Sequence, residues 1–275
     1  MRYAALAVLV PAILAAGWLN DPDNNHEWRA SGELGAVGVI EHTIQFGKEA
    51  TKFDYVKYGG QEVLARFLRF SGEIHLKPRH TFIGLVQPLT IVTDAVLEKD
   101  LIVDSTVFAA GTPMDFRYGF DFYRVSYLYD FWPDADRELA VGLSLQLRNA
   151  SIAFASRDGE QFRVYRDLGP VPILKFRGRV PLTDRTWAAA EVDGFYAQGK
   201  GVTGSTNVGS SFKGAILDAS LRYGMSLNES VDGFLNVRYL GGGASGQQVV
   251  PDNPGDGYTD NWLGTVALTM GLYFK

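Results

Sequence analysis

The stretch LAVGLSLQLR, residues 139–148, sets Leu139, Val141, Leu143, Leu145 and Leu147 in strict alternation with Ala140, Gly142, Ser144, Gln146 and Arg148. Side chains on an extended strand point alternately to opposite faces, so one face of this segment is oily and the other small or polar. The same period recurs along the chain. Trp262, Val266, Leu268, Met270, Leu272 and Phe274 share a parity against Thr265, Ala267, Thr269 and Gly271. Ala215, Leu217, Ala219, Leu221 and Tyr223 alternate with Asp218, Ser220 and Arg222, and Val231, Leu235, Val237 and Tyr239 alternate with Asp232, Asn236 and Arg238. The pattern predicts an all-β chain of about ten antiparallel strands, with eight or twelve as alternatives. They fall at 30–46, 62–76, 80–93, 113–131, 138–157, 161–180, 186–197, 212–225, 231–240 and 261–274.

Alternation alone fits a soluble sandwich as well as a closed barrel. Connection lengths favour an up-and-down transmembrane barrel. The segments 77–79, 132–137, 181–185 and 226–230 are short, whereas 47–61, 94–112, 198–211 and 241–260 are long and rich in Gly, Asp and Ser. Short turns at one end and long loops at the other mark a membrane-spanning barrel. The tight Asp158-Gly159 turn breaks the rule and is read as joining two strands that project beyond the bilayer. Tyr127, Tyr129, Phe131, Trp132, Trp187, Trp262, Tyr273 and Phe274 gather at predicted strand ends, where rings would sit at headgroup level. Core aromatics of a sandwich are the competing account.

The chain opens with Met1-Arg2-Tyr3, an apolar stretch from Ala4 to Ala16, the small residues Ala15-Ala16-Gly17 and a polar run, Asn20 to Asn25. This is the pattern of a secretory signal, expected over 1–17. The stretch falls short of the ~20 residues needed to span a bilayer as a helix. Residues 18–29 are then expected as a periplasmic segment and 30–275 as the barrel. The chain has no cysteine, which excludes disulfides, thiolate sites and a lipid-modified cysteine. Its formal charge of -5 and the lack of a basic stripe argue against a nucleic-acid partner.

The alternating strands and the terminal segment Leu268-Thr269-Met270-Gly271-Leu272-Tyr273-Phe274 resemble bacterial outer-membrane β-barrel proteins, whose last strand commonly ends in an aromatic residue. Lys275 after that Phe is a departure from the pattern. The stretches 123–129 and 169–179 are similar to those of small barrels of this kind. The resemblance covers the whole chain and implies residence in the outer membrane. It also implies contact with outer-membrane lipid and lipopolysaccharide, and recognition by the barrel assembly machinery.

If the oily parity faces lipid, the other parity fills the lumen with charge. The expected inward set is Arg69, Glu73 and His75, then Arg124 and Asp130, then Lys175, Arg177 and Arg179, followed by Glu191, Asp193, Asp218, Arg222 and Arg238. Such charges form either an ion-paired plug or a narrow ion-lined conduit or ligand pocket, with Arg177 and Arg179 beside Glu191 and Asp193 as the first group of interest.

Catalytic signals are absent from the pattern. Outer-membrane phospholipases and lipid A deacylases carry a His two residues before a Ser, and omptin-like proteases an Asp two residues before a His. Neither occurs around His26, His42, His75 or His80. His42 beside Glu41 is the one sterically plausible acid–base candidate, and Asp134-Ala135-Asp136 falls on a predicted turn. The acidic loops 252–260 and Asp94, Glu98, Asp100 and Asp104 lack a recognised metal-ligand spacing, although the second could hold divalent cations bridging lipopolysaccharide. No cofactor is expected. A non-enzymatic structural or interaction protein leads, ahead of a narrow pore or small-ligand transporter and of a lipid or peptide hydrolase.

Overall fold

The computed structural model describes residues 26–76, 79–132, 136–200, 211–247 and 255–275. The predicted signal segment, most of 18–29, the loop 201–210 and Asp134-Ala135 lie outside them. The described strands are β1 (His26–Phe46), β2 (Phe53–Asp54), β3 (Leu64–Leu76), β4 (His80–Gln87), β5 (Thr90–Val96), β6 (Leu101–Val103), β7 (Thr106–Phe108), β8 (Pro113–Asp130), β9 (Glu138–Ser156), β10 (Phe162–Pro181), β11 (Thr186–Lys200), β12 (Ser211–Asn228), β13 (Val231–Gln247) and β14 (Tyr258–Phe274). One helical turn, α1 (Tyr55–Tyr58), follows β2.

Neighbouring strands pair antiparallel from β1 through β3, β4 and β8 to β14, and β14 returns to β1 from Ala30↔Phe274 to Phe46↔Thr259. β4 and β5 both pair with β8, on either side of Pro88 and Leu89, and so act as one stave. Beyond Gly38↔Leu64, β2 takes over from β3 beside β1. The wall therefore has ten staves, and the fold is the closed antiparallel barrel expected from the alternation. Closure is what lipid demands, because an unpaired backbone N–H or C=O in hydrocarbon costs several kcal/mol.

Two seams depart from full pairing: the β3–β4 ladder ends at Phe70↔Val86, so β5 has a strand partner only in β8, and the second lies between β10 and β11. The β10–β11 ladder stops at Leu174↔Gly194, while β10 continues along β9 to Phe162 and β11 along β12 to Lys200. Pro170 and Pro172 stand on the open edge. Since the β9 ladder runs unbroken past both, their imide nitrogens face the seam, where no donor is needed.

Several strands run longer than the alternation suggested. β1 starts at His26, inside the segment expected to precede the barrel, and pairs there with β3. β13 continues through Gly241, Gly242 and Gly243, which read as loop. A Cβ at Gly243 would collide with the Asn261 carbonyl and Trp262, so the glycines permit a close approach of backbones.

The long strands carry two opposite polarity patterns. Near the turn-side end, large apolar side chains face outward: Leu143, Leu268, Leu235, Leu221, Val125 and Leu34 are 56–68% exposed, and their inward neighbours are mostly small, polar or charged, among them Ser144, Thr269, Asn236, Arg222, Arg124 and Glu33. Nearer the loops the pattern inverts. On β8, Met114, Phe116 and Tyr118 are buried inside while Asp115 and Arg117 face out; on β9, Ile152 and Phe154 point in. An outward apolar belt about nine residues tall, 139–147 on β9 and 266–274 on β14, matches the ~9–11 residues a tilted strand needs to cross a bilayer. The loop-side half, an inside-apolar barrel, then stands in water. A bulge between Val39 and Glu41 keeps β1 in step by changing which parity faces inward, from Val37 and Val39 to His42, Ile44 and Phe46.

The belt predicts a depth-dependent penalty. Leu268→Arg should cost about 2–4 kcal/mol in guanidinium titrations of vesicle-inserted protein, as charges do on the lipid face at the midplane. Arg117→Leu, outside the belt, should change stability little.

Candidate functional site in the barrel lumen

The lumen is filled in three levels. At the loop end, the connection 47–63 folds into the mouth, where Asp54 caps α1 by accepting a hydrogen bond from the Lys57 amide at 3.0 Å. The capped turn delivers Tyr55 to a fully buried position, stacked on His42 at 4.5 Å and edge-on to Phe53 and Phe116. Burial pushes the Tyr55 phenol well above the usual tyrosine range. The β6–β7 hairpin docks beside it: Ile102 and Thr51 exchange two hydrogen bonds, the Asp104 amide donates to the Phe46 carbonyl at 2.8 Å, and Leu101, Val103 and Phe108 are buried. These residues join Ile44, Phe46, Met114, Phe116 and Phe154 in one apolar cluster.

Below this cap the filling turns ionic. Arg238 marks the border, with its guanidinium 5.5 Å over the Phe67 ring. It bonds both oxygens of Asp218, at 2.6 and 2.7 Å, and donates to Gln87. Arg124 bridges Asp218 at 3.0 Å and Asp193 at 2.8 Å, and also donates to Gln146. The gap between cap and ionic level is a cavity of about 10 Å³, at the lower limit for one water. Lys175 links Asp193 at 3.0 Å to Glu191 at 2.9 Å, and Arg69 joins Glu191 at 2.9 Å. Glu33 accepts from Asn236 at 2.9 Å and Thr269 at 2.8 Å.

The third level lies toward the short turns. Arg177 holds Glu73 at 2.9 Å and Glu138 at 2.8 Å, while Arg179 pairs with Asp232 at 3.0 Å. Asp232 also accepts from Trp187 Nε1, Ser226 and Lys275. At this end the side chains of Arg29 and Arg179 are 23% and 22% exposed, against 0% for Arg124 and Asp193.

Of the twelve ionic residues that parity places inward besides His75, eleven, Arg69, Glu73, Arg124, Lys175, Arg177, Arg179, Glu191, Asp193, Asp218, Arg222 and Arg238, line this lumen. Their pairings differ from the expected one. Arg177 and Arg179 bond Glu73, Glu138 and Asp232 rather than Glu191 and Asp193, which Lys175, Arg69 and Arg124 take. Asp130 is not a lumenal partner; it accepts from the amides of Trp132 and Leu139 at the turn. Glu33, Glu138, Gln87, Gln146 and Asn236 were missed, although each sits at an inward parity. Trp187 and Tyr273, read as headgroup rings, instead face inward: Trp187 is buried under Arg179, and the Tyr273 hydroxyl lies 3.5 Å from Glu73.

His42 is no rim acid–base pair with Glu41. The bulge turns Glu41 outward and His42 inward, where Nδ1 meets Gln61 Oε1 at 2.7 Å. His75 bonds Glu73 and Thr81, and His80 bonds Tyr127. Among the described residues, no group of three His, Asp or Glu side chains has metal-binding geometry. Asp94 pairs with Arg157 and Asp100 accepts from the Ala110 amide; residues 252–254 of the other acidic loop lie outside the described residues.

No family model matches the chain, and no curated protein does. Among solved structures, the outer membrane protease OmpT from Escherichia coli superposes with a TM-score of 0.51 at 10% identity, over 92% of this chain and 97% of that one. The likeness is one of fold. The transport unit of the autotransporter AIDA-I from Escherichia coli follows at a TM-score of 0.41 and 7% identity, covering 98% of this chain and 97% of that one. A Pseudomonas aeruginosa FadL homologue matches at 0.39 and 9%, over 95% and 93%. The architecture is that of bacterial outer-membrane β-barrels, as the C-terminal strand suggested.

Removing one member of the central ionic level strands its partners. Arg124→Met leaves Asp193 and Asp218 short of a cation in a dry interior and should cost about 3–5 kcal/mol in unfolding titrations. Tyr55→Ala should cost a similar ~3–5 kcal/mol by opening a cavity in the cap.

Proposed function

We propose that this chain is a plugged outer-membrane barrel with a structural or interaction role, exercised through its projecting rim and long loops. The filling of the lumen carries this reading. A conduit needs a continuous file of water, whereas here an apolar cap sits on a paired ionic level with a gap of about 10 Å³ between them. Ions entering from the turn side would meet Arg124, Asp193 and Asp218, which are already bound to one another.

The hydrolase alternative has less support. OmpT is a protease, but this chain lacks the Asp-x-His of that type; His42 is buried against Gln61, and His75 and His80, which bond Thr81 and Tyr127, stand at the short-turn end rather than among the long loops. In the proposed orientation the short turns face the periplasm and the loops face out. Membrane lipid would cover the belt, lipopolysaccharide would meet the loop-side rim, and the assembly machinery would read the terminal strand.

Single-channel recording in planar bilayers tests the proposal. Purified, heat-modifiable protein should insert without conductance steps. Discrete steps that scale with salt concentration would overturn the plugged reading.

A further inference from the structure

The turn-side end of the lumen contains a cavity of about 50 Å³ that opens to solvent between the short turns. About four water-sized groups fit such a space, as many as the oxygens of a phosphate or sulfate. Six cations line it, Arg29, Arg69, Lys175, Arg177, Arg179 and Arg222, against three carboxylates, Glu73, Glu138 and Glu191.

The three carboxylates are already committed. Glu73 and Glu138 are held by Arg177, and Glu191 by Arg69 and Lys175. Of the cations, Arg29 has Glu27 and Arg179 has Asp232. Arg222 differs from these. Its nearest carboxylate oxygens, on Glu33 and Glu191, lie at 3.6 and 3.9 Å, beyond hydrogen-bond reach, and its buried Nε has no hydrogen-bond partner. Phe234 supports the guanidinium from one side, 5.6 Å from the ring centroid. A planar fork whose terminal nitrogens have no carboxylate within hydrogen-bond reach, at the wall of a solvent-open cavity lined by six cations, is placed to receive an oxyanion.

We infer that this vestibule binds a small inorganic oxyanion, with Arg222 as its principal ligand. The site is independent of whether the barrel conducts, because it lies on the turn side of the Arg124 level. Lipid headgroups are kept out by the strand wall, so the ligand arrives from the aqueous side as a free ion.

Calorimetric titration with inorganic phosphate, on protein in a phosphate-free neutral detergent at fixed ionic strength, tests the inference. Binding should saturate, and chloride at the same ionic strength should not reproduce it. Arg222→Met should weaken it about tenfold or more, the scale of losing a charge-assisted hydrogen bond, while Arg222→Lys retains part of it. Heat-modifiable migration confirms that each variant is folded. No saturable heat with the wild-type protein, or equal affinity in folded Arg222→Met, would overturn the inference.

Discussion

Closing ten strands into a ring commits the chain to fill what the ring encloses. The β14–β1 ladder removes the sheet edges that lipid would punish, but a ten-stranded ring is wider than the eight-stranded kind that ordinary side chains just fill. Long side chains from opposite walls must meet in the middle. With the outward parity taken by Leu, Val and Phe for lipid, the inward parity supplies Arg, Lys, Glu and Asp. Each is costly to bury alone, so the fold depends on their pairing with one another. Asp218 shows how this is met: both oxygens are taken by Arg238 and one is shared with Arg124, on three different strands.

The same strands satisfy a second solvent by inverting their pattern. Outside the belt, water covers the wall and the interior becomes apolar, so β8 changes from Arg124 inside and Val125 outside to Phe116 inside and Arg117 outside. About eight residues of β8 lie above the change, roughly 20 Å of projecting wall at ordinary rise and tilt. That height gives the two loop segments something to fold into. The cap formed by Tyr55, Phe53 and the β6–β7 hairpin is in effect the core of a small soluble barrel, continuous with the membrane barrel beneath.

Much of the wall was legible because its physics is local. Period two reports which face a residue occupies, and it placed Lys175, Arg177 and Arg179 on the inner face from three alternate positions. Partner choice was not legible. Arg177 and Glu73 are 104 residues apart and meet only because the ring closes. The inner aromatics misled for a different reason: Trp187 and Tyr273 carry polar tips that serve a headgroup layer or a buried carboxylate equally well. The cap left no periodic signal, since Tyr55 comes from a loop positioned by one Asp cap. His42 was misplaced by a single bulge, which a parity argument cannot see.

In a plugged barrel, water ends at the Arg124–Asp193–Asp218 level. A crystal structure at a resolution that orders internal water tests it most directly. Waters should occupy the turn-side vestibule and stop below Arg124, with none linking it to the loop-side mouth. A file of ordered waters running past Arg124 and Arg238 to the loops would contradict the account.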